Sequence, residues 1–269
     1  MRVQAQTIPG CSWDSMNLKS TMLSAVATVL LLAPIAFLGS FVYGVTGFGT
    51  GLFTIPLASH FYEVPFVLAV FALLDSVNAV RLCLSHPLAI VRAETVRLAP
   101  CCVVGVLFGA LLILVLPTWG LMLALGIFVL AYAIYSLIVS AVMPTINQQW
   151  AYITGLFGGV TSAMFGAGGP PYAIYLSMRP HGKEQIRATL AVTSVVSIGT
   201  RIIAFGCAGL LSSWTVWITA VAVAPPSLIA LWWADGIYAG LSRDVVIKMI
   251  RVLLCIAGVS LILRAIGTR

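Results

Sequence analysis

Charged residues are scarce in this sequence: Asp, Glu, Lys and Arg make up only 8% of its 269 residues, and 61% are hydrophobic. A soluble domain carries about 25% charged residues, because water must solvate its surface. The low charge therefore excludes a soluble globular protein and indicates a chain that mostly faces lipid. A bilayer core takes roughly 20 apolar residues per helix, so this length allows about eight spans and no separate soluble domain.

Motifs that would indicate an enzyme are also missing. The histidines His60, His86 and His181 lie at the ends of apolar segments, without the paired spacing of a zinc site. The sequence has no nucleophile elbow and no phosphate-binding lysine loop, and its six cysteines match neither a metal site nor a disulfide framework. We therefore expect no enzymatic activity, no cofactor and no metal. Three glutamates fall in predicted loops and are expected to be solvated: Glu63, Glu94 and Glu184.

The formal net charge is +7. The cations lie between apolar runs, and no basic run is interleaved with aromatic residues as a surface for RNA or DNA requires. We therefore expect no nucleic-acid partner. The positive excess is typical of cytoplasmic loops that follow the positive-inside rule and contact anionic membrane lipid.

Long apolar segments divide the chain, at 22–44, 65–84, 97–116, 120–142, 150–165, 187–209, 213–233 and 246–266. Two shorter stretches, 49–59 and 169–178, follow glycine-rich turns and are too short to cross as full helices. None of these runs alternates apolar and polar residues as the strands of a membrane barrel do. The predicted fold is an all-α polytopic membrane protein with about eight transmembrane segments.

An internal repeat relates the two halves of the chain. Gly44-Val45-Thr46 recurs as Gly159-Val160-Thr161, and Phe48-Gly49-Thr50-Gly51 recurs as Phe165-Gly166-Ala167-Gly168. Each half then carries one arginine inside an apolar segment, Arg81 in the first and Arg201 in the second. The predicted domains are an N-terminal extension over 1–20, a first transmembrane repeat over 21–143 and a second over 150–269. Each repeat is predicted to contain a glycine-rich broken or re-entrant helix hairpin.

Loop charges predict how the halves are oriented. Most cations lie in the loops near 85–97, 179–187 and 243–251, which the positive-inside rule places in the cytoplasm. Counting crossings from these loops makes the same element run inward in the first half and outward in the second. The repeats are therefore predicted to be inverted, with both termini outside. The cations at the termini, Lys19, Arg264 and Arg269, run against that placement of the ends.

Glycine and proline interrupt both halves at matching positions. Such breaks at membrane depth expose N–H and C=O groups that lipid cannot satisfy. In transporters with inverted repeats, paired broken segments meet near the midplane and form the substrate site. The N-terminus of a half-helix there presents N–H donors and the positive end of a dipole, which favours an anion. The alternative is that the glycines only allow close packing of helices.

Three ionisable residues lie within the predicted spans: Asp75, Arg81 and Arg201. A charge near the bilayer centre costs at least ~2.5 kcal/mol, so it usually faces a cavity or a partner. Asp75, Asn78 and Arg81 are spaced three apart on one helical face. Asp75 is a candidate ion-pair partner for either arginine, Arg81 or Arg201. Arg81 is near enough to a segment end to snorkel. Arg201 lies deep in its segment without an acid, which favours a role near substrate.

Hydroxyl side chains beside the turns complete a predicted oxyanion site. Individually each could instead donate to a carbonyl of its own helix, so only the group indicates a site. The candidate substrate-binding residues are Thr46, Gly47, Gly49, Thr50, Gly51, Asp75, Asn78, Arg81, Thr161, Gly166, Gly168, Gly169, Ser197 and Arg201.

These motifs resemble a known family. Tyr43-Gly44-Val45-Thr46-Gly47-Phe48-Gly49-Thr50-Gly51 with Pro56 is similar to the first signature of the TauE/SafE sulfite-exporter family. Gly158-Gly159-Val160 through Phe165-Gly166-Ala167-Gly168-Gly169-Pro170-Pro171 is similar to the second. The resemblance spans nearly the whole chain. Thr50 departs from the more uniform glycine or alanine stretch that is common in the first signature, which leaves the substrate within the family open.

The resemblance implies transport of small sulfur-containing anions, such as sulfite, thiosulfate or organosulfonates, by a multi-pass protein of the bacterial inner membrane. Our leading hypothesis is a secondary transporter that works by alternating access, in which the glycine turns and Arg201 bind the anion. A coupled proton or sodium ion is compatible with the sequence, although no residue requires one. A passive anion channel and a non-transporting membrane scaffold or assembly factor are the alternatives.

Overall fold

The computed structural model describes residues 13–46, 50–85, 89–138, 145–237, 258–259, 262–263 and 265–267. These residues form helices and turns, and no strand occurs among them. In chain order the helices are α1 Trp13–Thr46, α2 Thr50–Ala58, α3 Val64–Ser85, α4 Arg92–Val115, α5 Thr118–Ile138, α6 Trp150–Phe165, α7 Gly169–Ser177, α8 Lys183–Cys207 and α9 Trp214–Ile237.

Six of the described helices are long and apolar enough to cross a bilayer, over Ala27–Gly44, Val64–Arg81, Arg92–Val115, Thr118–Tyr135, Glu184–Cys207 and Trp214–Ala234. Their outward faces are apolar: on α4, the exposed side chains include Val104, Leu107, Phe108 and Leu111, which recur at helical spacing. A helix that is apolar on its exposed face as well as on its buried face is suited to lipid. The chain is therefore a multi-pass helical membrane protein.

The two other long segments of the sequence differ from these six. Segment 150–165 forms α6, which has only 16 residues, fewer than a full crossing usually needs. Segment 246–266 lies mostly outside the described residues. The count of eight spans therefore stays a prediction. Helix α1 begins at Trp13 and so extends well before the predicted apolar segment, because more polar residues continue the same helix.

Helices α6 and α7 form a hairpin whose turn is set by glycine. Gly166 ends α6 in the left-handed region, with φ of 60°, and its N–H donates to the Ser162 carbonyl at 2.9 Å. Glycine reaches this conformation without the strain that a Cβ would add. After the turn, α7 returns along α6, where a Cβ at Gly158 would overlap the ring of Tyr172.

Both ends of this second hairpin lie on one side of the molecule. The Ile146 N–H, just before α6, donates to the Met178 carbonyl, just after α7, at 3.2 Å. The Arg179 side chain also donates to the Ile146 carbonyl at 2.8 Å. The chain therefore enters and leaves this hairpin at neighbouring positions.

Helices α1 and α2 make the matching hairpin of the first half. The connection at 47–49 lies outside the described residues, but α2 packs back on α1, where a Cβ at Gly39 would overlap the Thr54 methyl group. The tips of the two hairpins touch, because a Cβ on Gly51 would overlap the backbone carbonyl of Gly166. The start of α2 and the Gly166 turn, far apart in the sequence, are therefore neighbours in space.

The helices exchange partners between the halves. Helix α1 packs along α9, and its counterpart α6 packs along α4; α3 also contacts α9, as α8 contacts α4. Matching glycines allow both main contacts: a Cβ on Gly44 would overlap Ala234 of α9, and a Cβ on Gly159 would overlap the Cys102 carbonyl of α4. For these two glycines, the close-packing alternative is the observed role.

Helices α3 and α8 pack on each other between the hairpins and run in opposite directions. Asp75 of α3 contacts Arg201 of α8, while Cys83, two turns further along α3, lies in the same small cluster as Ala191 near the start of α8. This crossing brings Asp75 and Arg201 together beside the start of α2 and the end of α6.

Candidate functional site

A buried ion pair joins the two halves. Arg201 Nη2 donates to Asp75 Oδ2 at 3.1 Å, and the two side chains are 1% and 5% exposed. The other carboxylate oxygen of Asp75 accepts a hydrogen bond from the Thr50 hydroxyl, at the start of α2. Asp75 thus pairs with the arginine of the other half and not with Arg81 of its own helix. A pair that satisfies both charges removes much of the cost of burying them.

Arg201 also caps a helix end. Its Nη1 donates to the Ser162 carbonyl at 2.9 Å, near the C-terminus of α6. The Ser162 carbonyl also accepts from the Gly166 N–H, but a carbonyl oxygen has two lone pairs. It lies at the negative end of the helix dipole, where a guanidinium is favourable. Because the Gly166 turn ends α6, the Ser162 carbonyl lies in the last turn of the helix, where the Arg201 side chain contacts it.

Next to this pair lies a small cavity of about 30 Å³ among mostly buried residues, enough for about two water molecules. Both hairpin tips and three of the long helices contribute to its wall. It is lined by Tyr43, Thr50, Asp75, Ser162, Gly166, Gly168, Gly169, Tyr172, Ser194, Ser197 and Ile198. Arg201, although described, is not among these residues; the cavity meets the carboxylate of the pair.

Two polar groups at this site lack hydrogen-bond partners among the residues that the structure describes: the Tyr43 hydroxyl and Arg201 Nε. Tyr43 is 4% exposed and lines the cavity. A buried donor without a partner costs about 1–3 kcal/mol, so native proteins rarely keep one without a reason. A ligand in the cavity would supply the Tyr43 hydroxyl with an acceptor.

The other hydroxyls around the cavity are already engaged. Ser197 and Ser162 are hydrogen-bonded to each other, with 2.7 Å between their Oγ atoms. The Tyr172 hydroxyl donates to the Cys102 thiol at 3.0 Å. A hydroxyl both donates and accepts, so the serine pair can turn toward a ligand without breaking its own bond.

The start of α7 offers fewer amide donors than the sequence analysis expected. Pro170 and Pro171 occupy its first turn, and proline has no N–H. The amides available at this helix end are those of Gly168 and Gly169. An anion here would therefore depend on hydroxyls and on the arginine more than on the half-helix.

The predicted site residues fall into four groups. Thr50, Asp75, Gly166, Gly168, Gly169 and Ser197 line the cavity. Gly51 and Arg201 lie directly against it, the first on the Gly166 backbone and the second on Asp75. Gly47 and Gly49 lie outside the described residues, and of Thr46, the last residue of α1, only the backbone is described.

Three predicted residues lie elsewhere. The Thr161 hydroxyl donates to carbonyls of its own helix, those of Phe157 and Gly158, both at 3.1 Å. Asn78 donates to Ser40 at 3.3 Å and to Ser227 at 3.4 Å, in a polar contact between α1, α3 and α9. Arg81 is half-buried one turn beyond Asn78 and does not line the cavity.

Sequence reasoning missed Tyr43 and Tyr172. Both stand at the edges of the glycine motifs, Tyr43 just before Gly44 and Tyr172 just after Pro171. Their matching positions beside the two motifs were the available signal. Tyrosine is also common as an ordinary packing residue, so the signal alone could not separate the two roles.

The expectation for Glu94 was wrong. Its side chain is 2% exposed and accepts hydrogen bonds from the Tyr175 hydroxyl at 2.6 Å, Arg179 Nε at 3.0 Å and His181 Nε2 at 3.4 Å. Glu94 is buried because α7 and the segment after it fold over the start of α4. We call these four residues the Glu94 cluster. Glu63 and Glu184 are exposed, as expected.

The chain matches the family described as "Sulfite exporter TauE/SafE" over residues 32–261. No curated protein and no solved structure matches it. The matched range contains both hairpins, the ion pair and the cavity.

Proposed function

The chain belongs to the sulfite exporter TauE/SafE family, and we propose that it is a secondary transporter for small sulfur-containing oxyanions in the inner membrane. The binding site in this proposal is the cavity between the two hairpin tips. Its ligands would be anions of the sulfite, thiosulfate or organosulfonate class. Both hairpins would move during transport, so that the site opens to one side of the membrane at a time.

The observation that carries this proposal is that Tyr43 lines the cavity and has a buried hydroxyl without a partner among the described residues. A sulfur oxyanion binds mainly through acceptor oxygens. Apart from the Asp75 carboxylate, the polar groups that line the cavity are able to donate: they are hydroxyls and glycine amides, with the guanidinium of Arg201 behind Asp75. Donors without acceptors suit an anion better than a cation or a neutral apolar ligand.

The arrangement of the halves supports alternating access between inverted repeats. Helices α3 and α8 run in opposite directions, the hairpin tips meet, and the helices exchange partners between the halves. Repeats related by a two-fold axis in the membrane plane would have these three properties.

Replacement of Tyr43 by Phe tests the site. Loss of a hydrogen bond to a charged ligand costs about 1.5–3 kcal/mol, so we expect sulfite affinity to fall tenfold or more. The purified protein should keep its thermal stability or gain a little, since an unpartnered buried hydroxyl is removed. The measurements are sulfite binding by calorimetry and unfolding temperature without ligand.

The matched control is Thr200→Val, on the same helix as Arg201. The Thr200 hydroxyl donates to the Val196 carbonyl of its own helix at 2.8 Å, so its loss should leave sulfite affinity within about twofold. A Tyr43→Phe variant that binds sulfite as well as the unaltered protein would remove the proposed site. In proteoliposomes, counterflow of labelled sulfite would support a carrier, and channel-like conductance would exclude alternating access.

A further inference from the structure

The position of Asp75 in the site points to a second ion. We propose that Asp75 binds a proton whenever an anion enters the cavity, so that one proton is carried with each anion. This inference rests on the proposed function, because it assigns a coupling ion to the same site. It is based on which member of the ion pair contacts the cavity: Asp75 lines the wall, and Arg201 does not.

An anion cannot use Arg201 while Asp75 is charged. One guanidinium nitrogen of Arg201 donates to Asp75 and another to the Ser162 carbonyl, so the pair is neutral as it stands. An anion entering beside it would face the carboxylate directly. Like charges in a buried site of low dielectric repel strongly, and only the partner charge of Arg201 offsets this.

Protonation of Asp75 removes this obstacle. The proton comes from water and binds one carboxylate oxygen, which leaves the guanidinium of Arg201 as the single charge of the pair. A monoanion then makes the site neutral again. The Thr50 hydroxyl, which donates to Asp75 in the absence of an anion, is able to accept from the protonated carboxyl group and so keep its place.

Among the titratable groups around the ion pair, we assign the proton to the Asp75 carboxyl group. The titratable and charged groups that face it are Arg201 from α8, Tyr43 from α1 and Tyr172 from α7. Arginine stays charged, and free tyrosine ionises only near pH 10. Among these described side chains, the carboxyl group is the one that can exchange a charged form for a neutral one by gaining a proton.

The test compares sulfite affinity in the unaltered protein and in Asp75→Asn across a pH series. An asparagine is a permanent neutral substitute for the protonated carboxyl group. If anion binding requires the proton, the ratio of the two dissociation constants should rise about tenfold per pH unit wherever Asp75 is ionised in the empty protein. Sulfite also titrates, but this affects both proteins equally and cancels in the ratio.

A ratio that stays within about threefold over the whole pH series would overturn the inference. Failure of sulfite to bind either protein at any pH would instead overturn the proposed function. The two failures are therefore distinguishable.

A second measurement covers an Asp75→Asn protein that does not fold. Calorimetry of the unaltered protein with sulfite, in two buffers of different ionisation enthalpy, counts the protons taken up on binding. Mildly acidic buffer is used, where the ligand is already the monoanion bisulfite. Uptake approaching one proton per anion is expected, and sulfite binding without proton uptake throughout the pH series would exclude the coupling.

Discussion

Asp75 and Glu94 are both buried carboxylates with arginine partners, but their surroundings differ. Both oxygens of Glu94 are held by donors from α7 and from the segment after it, and no buried side-chain polar atom of the Glu94 cluster lacks a partner among the described residues. The Asp75–Arg201 pair instead adjoins a cavity, with an unpartnered hydroxyl and an unpartnered guanidinium nitrogen.

The difference separates a structural role from a binding role. A fully satisfied polar cluster fixes the elements that it connects, here the second hairpin to the start of α4. A site with unpartnered donors beside a cavity forms without a ligand, and a ligand that accepts hydrogen bonds from these donors stabilises it further. The number of buried charges would not distinguish the two sites; the unpartnered atoms do.

The largest effect that we expect is on the Asp75 side of this comparison. Arg201→Gln leaves the Asp75 carboxylate buried without its counter-charge, which should destabilise the protein by about 3–5 kcal/mol. Adding Asp75→Asn removes that charge and should recover most of the loss, while sulfite binding stays absent in both variants. Unfolding in detergent, followed by tryptophan fluorescence, measures this. Equal stability of Arg201→Gln and the unaltered protein would contradict the assigned pair.

A smaller effect is expected on the Glu94 side. Glu94→Gln keeps the shape and an acceptor oxygen but loses the charge that faces Arg179 and His181. These partners are 12% and 15% exposed, so water can still reach them, and we expect a loss of about 1–2 kcal/mol. Sulfite affinity should stay within about twofold. A loss of affinity as large as that of Tyr43→Phe would mean that the Glu94 cluster also takes part in binding.

The smallest change, a single oxygen atom, distinguishes the two sites most sharply. Tyr175→Phe removes a hydroxyl that donates to Glu94, so it should lower stability by about 1–2 kcal/mol and leave sulfite affinity unchanged. Tyr43→Phe should do the reverse. Unfolding temperature and sulfite affinity are measured on both variants. Two variants with the same pattern would end the distinction between a structural cluster and a binding site.

Sequence reasoning reached the parts of this protein that depend on neighbours along the chain. Apolar runs of about twenty residues favour helices in lipid whatever their partners, because lipid offers the backbone no other hydrogen bonds. The short segments 49–59 and 169–178 were predicted from local signals of the same kind, glycine and proline. The resemblance to the TauE/SafE family also rests on contiguous motifs, and the family match confirms it.

Contacts between residues that are distant in the sequence could not be predicted from local patterns. Asp75 was three residues from Asn78 and six from Arg81 in a helix, yet its partner is Arg201 in the other half. Glu94 looked like a loop residue because its partners, Tyr175, Arg179 and His181, lie more than eighty residues away. No local pattern encodes which of several helices will pack beside which.

By itself, then, the sequence determined that the chain is a multi-helical membrane protein with two glycine breaks and a few charges in apolar surroundings, since these follow from hydrophobicity and backbone freedom. Only the tertiary structure decided that the breaks meet, that Asp75 neutralises Arg201, that Tyr43 lacks a partner and that Thr161 and Asn78 lie away from the cavity. The physical reason is that helix formation in lipid is satisfied within each segment, whereas pairing, burial and empty space are properties of several segments together.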